Sequence, residues 1–274
     1  MKKKLMVLPL LLALMVAVTA CGKEDPYEVL QKADANLAQV ESIEMQVKGA
    51  VSVKMDPVTV GPIDMTFDVK AKKVDENKTD VAMVLSEFPM LPELSNTAVY
   101  YTDGYLYLNL MGEKMKMPLP IESVEETEKE DAEESGFLFT FPKERMKDLK
   151  MENGEGGDRI ITFNIDMSEE IQAAMEANPE QKEQLEALGG EVTWAPIPFS
   201  FTVSKDDQMK AFSMSMAFSM TAEGQKMDME IPLSFTITKT GEDVSIEFPD
   251  FSDYQETSME EMNQAFGTTD PGQL

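Results

Sequence analysis

The chain has 274 residues, with 24 Lys and Arg against 51 Asp and Glu, a net charge of −27 and no His. That balance argues against nucleic acid as a partner, because neutralising phosphates takes basic patches. It equally disfavours lying flat on anionic lipid. With no His and one Cys, Ser-His-Asp and Cys-His catalysis, His-ligated zinc and disulfide stapling are excluded. No Ser-x-x-Lys, Gly-x-Gly-x-x-Gly or P-loop occurs either.

Lys2, Lys3 and Lys4 precede an apolar run from Leu5 to Ala17, then Val18, Thr19, Ala20 and Cys21. A basic start, an apolar stretch and small residues describe a secretory signal, and the 16 residues from Leu5 to Ala20 are short for a membrane span. The single Cys falls where a bacterial lipobox needs it. The resemblance to that pattern implies diacylglyceryl modification of Cys21 and cleavage after Ala20. Two acyl chains suffice for stable anchoring. Loss of the three lysines takes the mature charge to about −30.

After a tether at 21–25, Asp25-Pro26-Tyr27-Glu28 reads as a helix start, with Asp25 as N-cap and Pro26 at the first helical position. Leu30, Ala33, Leu37 and Val40 continue at helical spacing to about Gln39. From Ser42 the period becomes two: Met45, Val47, Gly49, Val51, Val53 and Met55 share a face, against Glu44, Gln46, Lys48, Ser52 and Lys54. Pro57 and Gly61-Pro62 are expected to break this run before Ile63, Met65, Phe67 and Val69 resume it. A turn at Asp75–Lys78 leads to a strand at Val81–Leu85. Thr102-Asp103-Gly104 between two β-rich runs is the strongest hairpin signal in the chain. Lys114–Pro118 is a further short strand.

Eight of the 13 residues in 122–134 are acidic, which reads as a solvated insert. A helix is expected at Pro142–Met151, closed by Asn153-Gly154, and a strand at Arg159–Ile165. Ser168, Glu169 and Glu170 open a helical hairpin to Leu188, interrupted at Asn178-Pro179. Val192–Val203 carries Pro196 and Pro198, which predicts an edge or a bulge. Strands at 212–220, 227–237 and Val244–Phe248 follow, joined by Gly-containing acidic turns. Residues 251–274 read as a loose tail with one helical turn near Met259–Phe266.

The mature chain holds 20 Met. Phe212, Met214, Met216, Phe218 and Met220 share one face of one strand, Met227 and Met229 a face of the next, and Met45, Met55 and Met65 equivalent faces earlier. Ser, Thr, Asp, Glu and Lys take the other faces. A one-sided sheet must be covered, so these residues form a core. Met is also over-used at adaptable apolar binding surfaces, so a cavity lined by Met65, Phe67, Phe212, Met214, Met216, Phe218, Met227 and Met229 is a candidate apolar-ligand site. Met-x-Met at 115/117, 214/216 and 227/229 equally suits Cu(I). But neither His nor Cys joins these pairs, and each alternation runs on as a core would. No metal site and no cofactor is therefore assigned.

The lipobox, the short N-terminal helix, the long strands and the segment Ala98-Val99-Tyr100-Tyr101-Thr102-Asp103-Gly104-Tyr105-Leu106-Tyr107-Leu108-Asn109, followed by Gly112-Glu113-Lys114-Met115-Lys116-Met117, resemble uncharacterised Met-rich lipoproteins of Firmicutes. More distantly they resemble the LolA/LppX lipoprotein-carrier superfamily. That resemblance implies an α+β fold: a strongly curved antiparallel sheet, a half-barrel, with helices packed on its concave face, spanning 26–250. It also implies a bound lipid in some members. The expectation is thus a non-enzymatic, lipid-anchored protein on the extracytoplasmic face of the cell membrane, binding a lipid or lipid-linked molecule. The alternative is a structural or regulatory surface lipoprotein that acts through protein contacts.

Overall fold

The computed structural model describes residues 24–75, 78–90, 94, 97–119, 141–168, 170, 171, 191–222 and 225–258. The signal segment with Cys21, the acidic insert at 122–134, most of the expected helical hairpin and the expected turn at 259–266 lie outside them. Helix α1 spans Pro26–Ala38. Asp25 has extended backbone and its Oδ1 accepts from the Tyr27 N–H at 3.0 Å, while Pro26 occupies the first turn, where a missing N–H costs nothing. The helix buries Val29, Leu30, Ala33 and Leu37.

Among the described residues thirteen strands make one sheet: β1 Ser42–Met55, β2 Val58–Asp75, β3 Lys78–Glu87, β4 Ala98–Thr102, β5 Tyr105–Leu110, β6 Glu113–Pro118, β7 Lys147–Asn153, β8 Arg159–Ile165, β9 Glu191–Trp194, β10 Ile197–Val203, β11 Met209–Ala222, β12 Gln225–Thr240 and β13 Gln255–Glu256. Their order is β13-β6-β5-β4-β3-β2-β1-β12-β11-β10-β8-β7, with β9 beside β11. Every pairing is antiparallel except β13 on β6. The sheet is curved and does not close. The two alternating blocks seen in the sequence are joined by the long β1–β12 ladder, from Ile43 opposite Thr240 to Met55 opposite Met227.

The turn chemistry follows the backbone. Asp103 and Gly104 both have positive φ (53° and 77°), as the tightest hairpin turn requires. Thr102 faces Tyr105 across it. Gly61-Pro62 does not end the strand, contrary to expectation. Both residues lie inside β2, beside a register shift between Val51 and Val53. Gly61 has φ +103° and a Cβ there would collide with the Val51 carbonyl oxygen, so glycine lets a bulge replace a break.

Three further expectations are corrected. Residues 142–151 are not a helix: Lys143–Arg145 is a single 3-10 turn and Lys147–Asn153 is strand β7. Leu149 and Met151 have a period of two, and both pack against the core, which decided the matter. Val244–Phe248 is not a strand; after a 3-10 turn at Gly241–Asp243 the chain leaves the sheet and crosses it. Residues 251–258 are not loose, since Tyr254 is buried and β13 extends the sheet. Pro196 and Pro198 mark a bulge rather than an edge. β9 and β10 pair in succession along one side of β11, and β10 is interior, between β8 and β11. Where the expected helical hairpin begins, Ser168, Glu170 and Ile171 are helical, and Asp166 Oδ1 accepts from both the N–H and the hydroxyl of Ser168.

The main core lies under α1. Val29, Leu30, Ala33 and Leu37 meet Ile161, Phe163, Phe199, Phe201 and Phe212. The rings of Phe163, Phe201, Phe212 and Phe235 stack in sequence, the last pair with centroids 4.1 Å apart. Beside α1, Arg159 is almost fully buried. Its Nη1 donates to Glu24 at 3.0 Å, and its Nη2 donates to Asp207 at 2.6 Å and to the Ser204 carbonyl. Burial opposes the charge, but the hydrogen bonds to Asp207 and Glu24 outweigh it, so the guanidinium pKa is raised.

Candidate functional site

Register resolves the sheet into rows of side chains that cross it on one face. The first apolar row is Ile161, Phe201, Phe212, Phe235, Val47, Phe67 and Leu85. The second is Phe163, Phe199, Met214, Leu233, Gly49 and Met65. Met216 and Ile231 begin a third. Trp194, Phe218, Met229, Val53 and Val60 form a fourth, and Val192, Met220, Met227, Met55 and Val58 a fifth. All eight residues named from the sequence therefore lie on one continuous face. Helix α1 covers its first rows. Phe212 is buried and Met214 and Met216 pack against the core, whereas Phe218, Met227 and Met229 lie outside it and are half-buried. Exposure rises toward the end of the face: Met55 is 38 % exposed, Val60 41 % and Val58 53 %.

The opposite face was legible only as a polar alternation. Its rows are small: Thr162, Ser200, Ser213, Ser234 and Lys48 in one, and Thr193, Ser219, Asp228, Lys54 and Thr59 in another. Here the molecule is hollow. One groove of about 710 Å³ touches seven neighbouring strands from β7 to β2, and a second of about 410 Å³ continues past Ser52, Ala217 and Glu230. Phe199 and Met214 border the groove, but alternation turns their side chains to the other side, into the core. The single described complete helix packs on the apolar face, opposite the groove, so the expected packing of helices on a concave face is not confirmed among the described residues.

Polar groups on the groove face are partly paired. Ser219 donates to Asp228 at 2.5 Å and Ser215 to Glu230 at 3.3 Å. Hydrogen bonds from Lys226, and then Ser219, hold the Asp228 carboxyl below its usual range. Thr162 Oγ1 is buried without a partner. No group of three His, Cys, Asp or Glu that could hold a metal occurs among the described residues, and no described helix is long and apolar enough to cross a membrane.

A second aromatic assembly lies across β3–β6. The segment after Gly241 runs over the groove side of β2–β6, where Lys70 Nζ on β2 donates to the Ser245 carbonyl. Phe251 stacks on Tyr107 with centroids 3.8 Å apart, and Phe248 and Tyr254 meet Tyr100 and Tyr107 edge-on. The sequence reading missed these residues; the aromatic run at Phe248, Phe251 and Tyr254 was their signal.

These features define a class: a broad, open antiparallel sheet, with one complete helix among the described residues, one Met/Phe face and one small-residue groove face. Within it the chain belongs to the family of unknown function DUF6612, whose model matches residues 25–251. No curated protein matches it. Among solved structures it is similar to a DUF1329 family protein from Desulfovibrio piger, with 11 % identity, 84 % of this chain and 98 % of that one covered and a TM-score of 0.28. An outer membrane lipoprotein-sorting protein domain from Vibrio parahaemolyticus is similar at 10 % identity, with 83 % and 97 % covered and a TM-score of 0.25. The ywiB protein from Bacillus subtilis follows at 11 %, with 74 % and 98 % covered and a TM-score of 0.19. At such scores function has to be carried by this chain's own geometry.

Proposed function

We propose that this chain is an extracytoplasmic lipoprotein, anchored to the cell membrane through acylated Cys21, that binds an apolar ligand such as a lipid or lipid-linked molecule on its Met/Phe face. It is a binding protein rather than an enzyme, since the chain has no His and its one Cys is taken by the anchor, which leaves no Ser-His-Asp or Cys-His centre. One observation carries the ligand reading. The rows under α1 are sealed, but the described residues leave the rows of Phe218, Met227 and Met229 only half-covered. Soluble proteins seldom expose wide apolar faces without a use for them, and each methylene an acyl chain buries there contributes about 0.8 kcal/mol.

Native mass spectrometry of the protein purified without detergent, followed by organic extraction, tests this. A stoichiometric lipid is expected, and Phe218→Asp should release it. A clean unliganded mass that persists after incubation with membrane extract would overturn the reading.

The groove favours a second reading, a surface lipoprotein that acts through protein contacts. It is lined by hydroxyls and bordered by Lys48, Asp64, Asp148 and Lys150, which suits a polar partner better than a lipid. Crosslinking from cysteines placed at Ser213 and Ser215 to a single protein, with no lipid bound, would favour it.

A further inference from the structure

We propose that Met55, Met220 and Met227 form a thioether site for a soft monovalent cation of the Cu(I) class. The sequence offered Met pairs two residues apart on single strands, and those pairs point along a strand. Register adds neighbours across strands: Met220 faces Met227 on one side, and Met55 faces Met227 on the other. Among the described strand pairings no other row sets even two Met side by side. Met214 faces Leu233, Met216 faces Ile231, Met65 faces Gly49 and Met115 faces Leu108.

Directly opposed residues on neighbouring strands have Cβ atoms about 5 Å apart, so the outer two of this row are about 10 Å apart and the middle one lies between them. Each sulfur stands two bonds beyond its Cβ on an unbranched, flexible side chain. The two outer thioethers can therefore lean inward over Met227, which brings three sulfurs around one ion without moving the backbone. Thioethers select Cu(I) over hard or borderline divalent ions. The site is also accessible, because Met55 is 38 % exposed at the end of the sheet where its flanking Val58 is 53 % exposed. The strongly acidic chain attracts any cation toward it. Nothing in core packing calls for three flexible thioethers side by side at this open end, where Leu or Ile would specify the fold better.

The site shares a face with the apolar-ligand surface but goes beyond that reading, and the two can fail separately. Met→Leu keeps the face apolar and similar in volume while removing the sulfur. The test is anaerobic competition for Cu(I) between a chromophoric chelator and the full-length protein in detergent, repeated with Cys21→Ser to remove the one thiol. One Cu(I) per chain is expected. Met227→Leu should weaken binding at least about tenfold, and Met115→Leu/Met117→Leu on β6, outside the apolar-ligand site, should leave it unchanged. Failure to withdraw Cu(I) from the chelator, or binding that survives Met55→Leu/Met220→Leu/Met227→Leu, would overturn the proposal. X-ray absorption on the copper-loaded wild type needs no variant to fold. A sulfur-only shell supports the site, and an oxygen or nitrogen shell refutes it.

Discussion

The two halves of the sheet are covered on opposite sides. Over β8 and β10–β12 the cover is α1, and it sits on the Met/Phe face, against the stack of Phe163, Phe201, Phe212 and Phe235. Over β3–β6 the described cover is the crossing segment that follows Gly241, and it sits on the other face, against Tyr100 and Tyr107. Both halves alternate with the same period. The side that receives a cover is set by where bulky side chains stand, small residues in the groove half giving way to tyrosines in the other. A sheet whose cover changes sides keeps a polar hollow in one half while packing the same face in the other.

Breaking each cover separately should show this difference in size. Phe201→Ala empties the centre of the stack, where the ring is fully buried, and should cost about 3–5 kcal/mol, read as a lower denaturant midpoint for the whole domain. A local loss confined to β8 and β10 would mean the halves do not fold together. Phe251→Ala removes one partly buried ring from the crossing segment and should cost less, about 2 kcal/mol. Its hydrogen exchange should rise in residues 244–258 while α1 stays protected; equal exposure of α1 would sink the idea of two separate covers.

Smaller effects sharpen the attachment of α1. Arg159→Met should cost about 2 kcal/mol, less than a fully buried pair, because the partners Glu24 and Asp207 are themselves partly solvated and rehydrate once released. Exchange at residues 24–26 would report it. The smallest effect is at Asp25, whose pKa is lowered by hydrogen bonds from Lys143 and then from the Tyr27 N–H. A lowered carboxyl pKa stabilises above the unfolded value and is lost as pH falls through the folded value. The melting difference between wild type and Asp25→Ala should therefore be full at pH 7 and shrink as pH falls below the usual carboxylate range. A difference that persists there would assign the effect to something other than the charge.

Much of this was legible. Asp25-Pro26 placed α1 because capping and the first-turn proline act locally. Asp103-Gly104 placed a hairpin because its backbone admits few residues. The common face of Met65, Phe67, Phe212, Met214, Met216, Phe218, Met227 and Met229 followed from alternation alone. What was not legible depended on contacts distant in sequence. Lys147–Asn153 carries as many charges as a surface helix, and only pairing with β8 makes it a strand. Val244–Phe248 alternates like a strand, but its path lies across the sheet, where no neighbour offers a ladder.

By itself, then, the sequence determined the strand period, the tight turns, the first helix and the sorting of apolar from polar side chains, because each depends on residues within a few positions of one another. Only the tertiary structure decided that β1 and β12 lie side by side, that the hollow opens on the small-residue face, and that Met55, Met220 and Met227 share a row. Those facts depend on register between strands far apart in the chain, and alternation is blind to register because a slip of two residues leaves every side chain on the same face.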